Sequence, residues 1–257
     1  MATFRYVLSL CLAIVLFSLG PANSTAKSRI PRVFESVKSL YIIDPMTGDS
    51  HNRCTAWSID ETRGLWMTAG HCVMTVVDIE GDQTPQPDFA TTFYIANQPA
   101  RIAVIDLTHD LALLVGVHAP ALRISTRDVK YGDEVSMPGH PLGETVPVLF
   151  RGHVAVIETI EARGHWMGFG LTVCGGNSGS PILDKHGAVI SVLQVGVGRP
   201  CGSYAGGVPQ GTLRGFVARF VFPSTAVKIM PLPPDWLPPD PFGSFIPPPF
   251  PPSPPEE

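Results

Sequence analysis

The sequence predicts an all-β protein built from short antiparallel strands. Between about residues 33 and 221, short apolar runs rich in β-branched residues are separated by glycine, proline, asparagine and aspartate, and no long amphipathic helix interrupts them. This spacing is typical of sandwiches and barrels. The runs lie at residues 39–43, 65–68, 90–95, 102–105, 112–117, 146–150, 154–157, 188–195 and 215–222.

The composition agrees with a globular domain of this class. The chain has 257 residues, of which 44% are hydrophobic and 16% are charged, and its formal net charge is -4. All-β barrels commonly use roughly 200 to 250 residues as one unit. There is no basic stripe that could neutralise phosphates, so nucleic acid is not an expected partner.

The N-terminus is typical of a secretory signal peptide. Arg5 precedes an apolar run at residues 7–19, and the small residues Ala22, Ser24 and Ala26 follow it. The run is shorter than the roughly 20 residues that a helix needs to cross a bilayer, so a permanent membrane anchor is not expected. We expect residues 1–26 to be removed and the protein to be secreted or periplasmic.

The C-terminus has a different composition from the rest of the chain. Residues 231–257 contain 13 of the 27 prolines. Proline fixes its own backbone angle and cannot donate to a sheet, so we expect residues 229–257 to form an extended, disordered tail. The tail is expected to act as a spacer, with tethering or docking to an unknown partner as the alternative.

One segment has the features of a nucleophilic serine site. The sequence CGGNSGSP, at residues 174–181, places Ser178 in a turn flanked by glycines. Such a turn lets a substrate carbonyl approach and leaves backbone N–H groups free, so Gly176 and Ser178 could supply an oxyanion hole. Taken alone, a turn of this composition is also common on protein surfaces.

Two further segments supply the partners that a serine nucleophile needs. The sequence LWMTAGHC, at residues 65–72, runs from an expected strand into a turn that carries His71. A histidine base makes a serine hydroxyl nucleophilic near neutral pH. Asp110 directly precedes the apolar run LALL, where it could hold the imidazole in the required tautomer. Asp106 is the alternative for this acidic role.

The segments TAGHC, DLALL and GNSGSP resemble the signature blocks of the trypsin-like serine peptidases, and they occur in the same order. The resemblance implies a serine endopeptidase that acts on protein or peptide substrates through an acyl-enzyme, with no metal or organic cofactor. It also implies a chymotrypsin-like fold of two six-stranded antiparallel β-barrels, at residues 27–125 and 126–228. His71 and Asp110 would come from the first barrel and Ser178 from the second.

The cysteines agree with this resemblance. Cys11 lies in the expected signal peptide, and the other four form an even set, which predicts disulfides in an oxidising compartment. Three pairings are possible from the sequence alone. The resemblance implies the bridges Cys54–Cys72 and Cys174–Cys201.

Two features indicate which branch of the family the chain resembles. Asn177 stands where animal members activated by a new N-terminus usually carry an aspartate, and no Ile-Val-Gly-Gly segment is present. The chain therefore resembles the bacterial branch, including the protease cores of the HtrA and glutamyl-endopeptidase groups. The sequence PGHPLG, at residues 138–143, adds to that likeness. HtrA proteins continue into a PDZ domain, which is not expected here because the proline-rich tail follows instead.

The expected substrate pocket is neutral. Alignment by counting puts Thr172 at its floor and Gly196 and Gly207 along its walls, with no acidic residue to pair with a basic substrate side chain. Leu193 stands where glutamate-specific relatives carry a histidine. We therefore expect cleavage after small or medium apolar residues. The substrate backbone is expected to pair as an added strand with Gln194, Val195 and Gly196.

Two other functions are weaker alternatives. A catalytically silent protein could keep the same fold and bind a partner through its cleft or its tail. An esterase with a Gly-x-Ser-x-Gly elbow would need alternating strands and helices with the histidine last, whereas here the histidine comes first and helices are scarce.

Overall fold

The computed structural model describes residues 32–44, 46–79, 82–89, 91–161, 164–198 and 201–221. The predicted signal peptide and the predicted proline-rich tail lie outside these residues. Within them the chain is mostly β-strand, and the strands close into two six-stranded antiparallel barrels, which confirms the predicted fold class.

The first barrel is built from strands that precede residue 116. They are β1 (Val37–Ile43), β2 (Ser50–Asp60), β3 (Leu65–Ala69), β4 (Met74–Ile79), β5 (Asp82–Pro87), β6 (Phe93–Ile95), β7 (Gln98–Asp106) and β8 (Leu111–Val115). The barrel closes in the order β1-β2-β3-β8-β7-β6, while β4 and β5 pair with each other as a hairpin.

The second barrel follows after an irregular connection. Its strands are β9 (Glu134–Gly139), β10 (Val148–Glu161), β11 (Gly164–Gly170), β12 (Val173–Cys174), β13 (Pro181–Asp184), β14 (Val189–Val197), β15 (Cys201–Gly202) and β16 (Tyr204–Gly207). The barrel closes in the order β10-β11-β16-β14-β13-β9, and β12 pairs with β15 beside it.

Short 3-10 turns and one helix complete the described chain. The turns span Arg32–Phe34, Gly70–Val73 and Pro141–Gly143, and helix α1 spans Gln210–Phe220. Among the described residues, no helix has the length and apolar character needed to cross a membrane.

The helix corrects one prediction, since the apolar run at residues 215–222 suggests a strand. The buried residues are Gln210, Leu213, Phe216 and Val217, and spacings of three and four residues place them on one face of a helix. The apolar run at residues 215–222 does not include Leu213, so the helical spacing of the apolar residues is not visible within it. Packing against the barrels stabilises a helix that also contains two glycines.

The two barrels share one apolar core. Trp57 and Met67 from the first barrel pack in the same buried cluster as Val189 and Val192 from the second, together with Phe216 of α1. Shared burial of this kind fixes the barrels against each other and therefore fixes any site in the cleft between them.

Candidate active site

Ser178 lies in the turn between β12 and β13. The backbone of this turn has left-handed φ angles at Gly176 (90°) and Gly179 (82°), a region that favours glycine. A side chain at Gly179 would collide with the Thr68 hydroxyl and the Thr55 carbonyl. The Ser178 carbonyl accepts a 2.8 Å hydrogen bond from the Thr55 N–H. The turn from the second barrel is thus packed tightly against β2 and β3 of the first.

Two backbone N–H groups in this turn are free. Neither the N–H of Gly176 nor that of Ser178 donates a hydrogen bond to another residue in the described part of the chain. They are the two groups that the sequence analysis assigns to an oxyanion hole. The free N–H group of a serine, together with that of the residue two positions before it, can stabilise the negative oxygen of a tetrahedral intermediate.

His71 is held by the end of a buried strand. All five residues of β3 are buried, and the 3-10 turn that follows carries His71. Strand β3 pairs with β8 so that Ala69 lies opposite Leu111, and Asp110 immediately precedes that leucine. This register brings the histidine and the aspartate together. The fit is close, because a Cβ atom at Gly70 would lie 3.0 Å from Asp110 Oδ1.

The Asp110 carboxylate binds His71 at two points. Its Oδ1 accepts a 2.6 Å hydrogen bond from the His71 backbone N–H, and its Oδ2 lies 2.8 Å from the ring Nδ1. A carboxylate can only accept, so Nδ1 carries the proton and the Nε2 lone pair of the neutral ring is free. That is the tautomer that a general base requires.

Asp106, the alternative acid, has a different partner. Its Oδ2 lies 2.8 Å from His109 Nδ1, and its Oδ1 accepts hydrogen bonds from the N–H groups of Thr108 and His109. Burial by itself would raise the pKa of Asp106, but these hydrogen bonds outweigh it and lower the pKa. Asp106 therefore shapes the turn that presents Asp110, which has a left-handed φ of 51°.

In the structure, no hydrogen bond joins the Ser178 hydroxyl to His71, although both residues are described. The His71 side chain is 46% exposed to solvent. Hydrogen bonds between a nucleophile and its base are often long in substrate-free enzymes and tighten when substrate excludes water.

Thr55 ties the serine turn to the first barrel. It is fully buried, and its hydroxyl donates a 2.9 Å hydrogen bond to the Gly176 carbonyl while accepting one of 2.9 Å from the His140 N–H. Its carbonyl accepts a 2.8 Å hydrogen bond from the Thr68 hydroxyl. This network fixes the orientation of the peptide group that follows Gly176.

His140 is a buried histidine behind the same turn. His140 is only 2% exposed, and its ring Nδ1 lies 2.8 Å from the Glu144 carbonyl oxygen. Burial lowers the pKa of His140, and this effect outweighs the nearby carbonyls of Glu144 and Val37, which favour the charged form. The ring is therefore kept neutral near pH 7.

Both disulfides implied by the family resemblance are present. Cys54 bonds to Cys72 beside the histidine turn, and Cys174 bonds to Cys201 beside the serine turn. The ligand atoms of Cys54, Cys72 and His71 lie within 4.8 Å of one another, the one group in the described chain with metal-ligand chemistry. Its sulfurs are bonded to each other, so they offer no thiolates.

A cavity of about 590 Å³ opens beside Ser178. No charged side chain among the described residues lines it. Its lining residues are Leu142, Val173, Cys174, Gly175, Ser178, Leu193, Gly196 and Gly198. Of the residues that counting assigns to the substrate pocket, Gly196 lines this cavity and the structure does not place Thr172 or Gly207 there.

The register of the strands explains these two differences. Thr172 lies just before β12 and its side chain is exposed, whereas the next residue, Val173, lines the cavity and would be met by a Cβ atom at Gly196. Gly207 is buried in β16, where a Cβ atom would meet the Ser191 hydroxyl. The roles of Thr172 and Gly207 in substrate binding therefore stay predictions, while Val173 joins Gly196 in lining the cavity.

The strand beside the cavity has one open edge. Val195, Gly196 and Val197 of β14 pair with β16 on one side, and no strand of the described chain pairs with them on the other. The Gln194 side chain crosses to the first barrel, where its Nε2 donates a 2.6 Å hydrogen bond to the His109 carbonyl and lies 3.5 Å from the Asp110 carbonyl. Strand β14 thus braces the turn that carries Asp110.

Sequence reasoning misses three residues that matter here: Thr55, Val173 and Leu142. A threonine within the mostly apolar run CTAWSI was a usable signal, because a buried hydroxyl needs a partner. No local signal identifies the other two, since their roles depend on loops that meet only in the folded chain.

Comparison with known proteins agrees with this geometry. A family model described as a trypsin-like peptidase domain matches residues 54–192. Over 103 residues the chain is 32% identical to an uncharacterized protein, y4bJ, of Sinorhizobium fredii. That match covers 37% of this chain and 16% of the relative, so the chain spans only a small part of its length.

Two solved structures have similar folds. The HtrA-type protease AlgW, determined with a decapeptide, has a TM-score of 0.58 and 16% identity, and the match covers 74% of this chain and 66% of AlgW. The Rv3671c protease from M. tuberculosis, in its active form, has a TM-score of 0.54 and 20% identity, with 76% and 86% covered. At these identities the likeness is one of fold.

Proposed function

Since the chain belongs to the trypsin-like peptidase family, we propose that it is a secreted serine endopeptidase that uses Ser178, His71 and Asp110. The observation that best supports this proposal is the pair of contacts from Asp110 to His71, at 2.6 Å to the backbone N–H and 2.8 Å to Nδ1. These contacts leave Nε2 as the basic atom of the ring, and the proposal has it accept the proton of Ser178.

The proposed reaction has two stages. In the first, Ser178 Oγ attacks the substrate carbonyl while His71 Nε2 accepts its proton, and the N–H groups of Gly176 and Ser178 bind the resulting oxyanion. The histidine then gives the proton to the leaving amine, which departs and leaves an ester on Ser178. In the second stage water attacks this acyl-enzyme by the same route, releasing the acid and restoring the serine.

Asp110 does not exchange protons in this scheme. It holds the ring in the tautomer with hydrogen on Nδ1 and stabilises the imidazolium that forms when Nε2 takes a proton. Gly70 supports this geometry, because any side chain there would press on the carboxylate.

We further propose cleavage after small or medium apolar residues. The cavity beside Ser178 is lined mainly by glycines and apolar side chains, and none of the described residues that line it carries a carboxylate that could pair with lysine or arginine. The open edge of β14 at Val195 and Gly196 is suited to pair with an extended substrate as an added strand. In addition to the expected pairing of its backbone with the substrate, Gln194 braces the turn that carries Asp110 through its side chain.

Digestion of an unfolded protein tests the activity and the preference together. We expect wild-type protein to produce fragments whose new C-terminal residues are mostly alanine, valine or leucine, and Ser178→Ala to produce none. Cleavage mainly after basic residues would contradict the preference. A folded wild-type protein as inert as Ser178→Ala would favour a catalytically silent binding protein.

Secretion is part of the proposal and needs its own test. The two disulfides suit an oxidising compartment. Expression of the full chain followed by mass measurement should give a mature N-terminus after Ala22 or Ala26. Retention of residues 1–26 on the exported protein would contradict the proposed signal peptide.

A further inference from the structure

We infer that Leu142 determines specificity by contacting the substrate on both sides of the scissile bond and favouring apolar residues there. This inference rests on the proposed function, with Ser178 as the nucleophile. It adds a second apolar contact, on the leaving-group side, to the preference proposed above.

Leu142 lies at the border between two cavities. One is the cavity of about 590 Å³ that contains Ser178. The other, of about 1140 Å³, is lined by Gly176 and by residues of β1, of β2 and of the loop that connects these two strands. In the part of the chain that the structure describes, only Leu142 and Gly175 line both cavities. Since glycine has no side chain, Leu142 is the one side chain that the two cavities share.

This border is where the scissile bond must lie. The nucleophile belongs to the first cavity, whereas Gly176, which supplies an oxyanion donor, belongs to the second. An extended substrate with its carbonyl between Ser178 and the Gly176 N–H places its acyl side in the first cavity and its amine side in the second. The Leu142 side chain then faces both neighbouring substrate residues.

Neither folding stability nor backbone geometry explains a leucine at this position. The residue is 65% exposed, so it gains little from burial in the free protein. Its φ of 53° and ψ of 22° lie in the left-handed region, which is unfavourable for a leucine and favours glycine or asparagine. Strained backbone held in this way occurs preferentially at functional sites.

The surroundings hold this conformation firmly. The Leu142 N–H donates a 2.6 Å hydrogen bond to the Gly175 carbonyl, and the Glu144 N–H donates one of 2.9 Å to the Pro141 carbonyl. The buried His140 ring anchors the same turn through Glu144. The backbone of Leu142 is therefore fixed next to the serine turn, and its exposed side chain extends from that fixed point.

The chemistry around Leu142 favours an apolar substrate. In the first cavity it faces the uncharged lining that contains Val173 and Leu193. The second cavity has a largely polar lining that includes Lys38 and Asn52. Within it, Leu142 and Ile43, which is 38% exposed, supply the large aliphatic surface. An apolar substrate residue on either side would cover the leucine and lose its own contact with water.

The experiment uses substrates that differ at one residue. Peptides carry leucine or asparagine immediately before, or immediately after, the cleaved bond, and the ratio of kcat/KM for the two residues is measured. Leu142→Asn keeps a residue that tolerates the left-handed region but removes the apolar surface. We expect this variant to lower the leucine-to-asparagine ratio roughly tenfold at both positions, in the range that one hydrophobic contact provides.

Three controls make the result decisive. Leu142→Met restores an apolar side chain and should keep the wild-type ratios. Tyr131→Asn changes a residue that is 75% exposed and far along the chain from the serine turn, and should also keep them. A fluorophosphonate probe, which carries no peptide side chains, should label Ser178 in every variant, which would show that the proposed catalytic groups remain assembled.

Unchanged ratios in a Leu142→Asn variant that labels normally would overturn the inference, and a change at only one position would overturn the claim that Leu142 contacts both sides. If the wild-type protein itself does not label at Ser178, the proposed function fails instead. The two failures are therefore distinguishable.

Discussion

Replacing Thr55 with valine is expected to weaken both the fold and the proposed catalysis. The Thr55 side chain is fully buried, and its hydroxyl is hydrogen-bonded to the Gly176 carbonyl and to the His140 N–H at 2.9 Å each. Valine has almost the same shape but no hydroxyl, so both backbone groups lose a partner without a cavity being formed.

The size of the effect follows from the burial of those groups. A buried N–H left without a partner, as at His140, costs about 1–3 kcal/mol, and the half-buried Gly176 carbonyl costs less because water reaches part of it. We expect the free energy of unfolding to fall by about 2–3 kcal/mol. Because loss of a whole oxyanion donor costs roughly 10²–10³ in kcat, displacement of the Gly176 peptide should lower kcat roughly ten- to a hundredfold, with KM little changed.

Urea denaturation and peptide hydrolysis measure the two effects. Thr55→Ser keeps the hydroxyl and should recover most of kcat. Ser58→Ala is the matched control, because Ser58 is fully buried on the same strand but donates its 2.8 Å hydrogen bond to Ala119 of the first barrel. It should reduce stability and leave kcat unchanged. Equal values of kcat in Thr55→Val and Ser58→Ala would refute the proposed role of Thr55.

Two further predictions concern the supports of the site. Burial lowers the pKa of His140 below 6.5, so the unfolded state binds more protons in acid and stability should fall as the pH drops below about 6.5. His140→Asn should flatten this part of the unfolding free energy measured between pH 7.5 and 5.5, and an unchanged slope would contradict the assignment. Gln194→Met removes the 2.6 Å hydrogen bond to the His109 carbonyl and should lower kcat roughly tenfold by loosening the Asp110 turn. A kcat equal to that of the wild type would show that the bond has no bracing role.

The fold was accessible from the sequence because barrels impose a local pattern. Strands such as β3 and β8 are short apolar runs with turn residues on either side, and their pairing at Ala69 and Leu111 explains why the motifs TAGHC and DLALL occur together. The disulfide pairing needed the family resemblance, because four cysteines by themselves allow three pairings.

The one corrected element has a physical cause. The run at residues 215–222 resembles a strand because it contains Phe216 and Val217 but not Leu213, which completes the helical period. The role of Thr172 in the substrate pocket stays a prediction, because it depends on how loops from distant parts of the chain meet.

The supporting contacts lay beyond any local pattern. Thr55 reaches Gly176 across 121 positions of the chain, and Gln194 reaches His109 across 85. Leu142 becomes distinctive only when two cavities meet at its side chain. Such contacts depend on how the two barrels are fixed against each other through their shared core.

The most direct test of Ser178 as the nucleophile is intact-mass analysis of the secreted, oxidised protein before and after reaction with a fluorophosphonate probe. We predict one adduct per chain on the wild-type protein, located at Ser178 by peptide mapping, and none on Ser178→Ala. Folded wild-type protein that gains no adduct, or an adduct that persists in Ser178→Ala, would contradict the proposed mechanism.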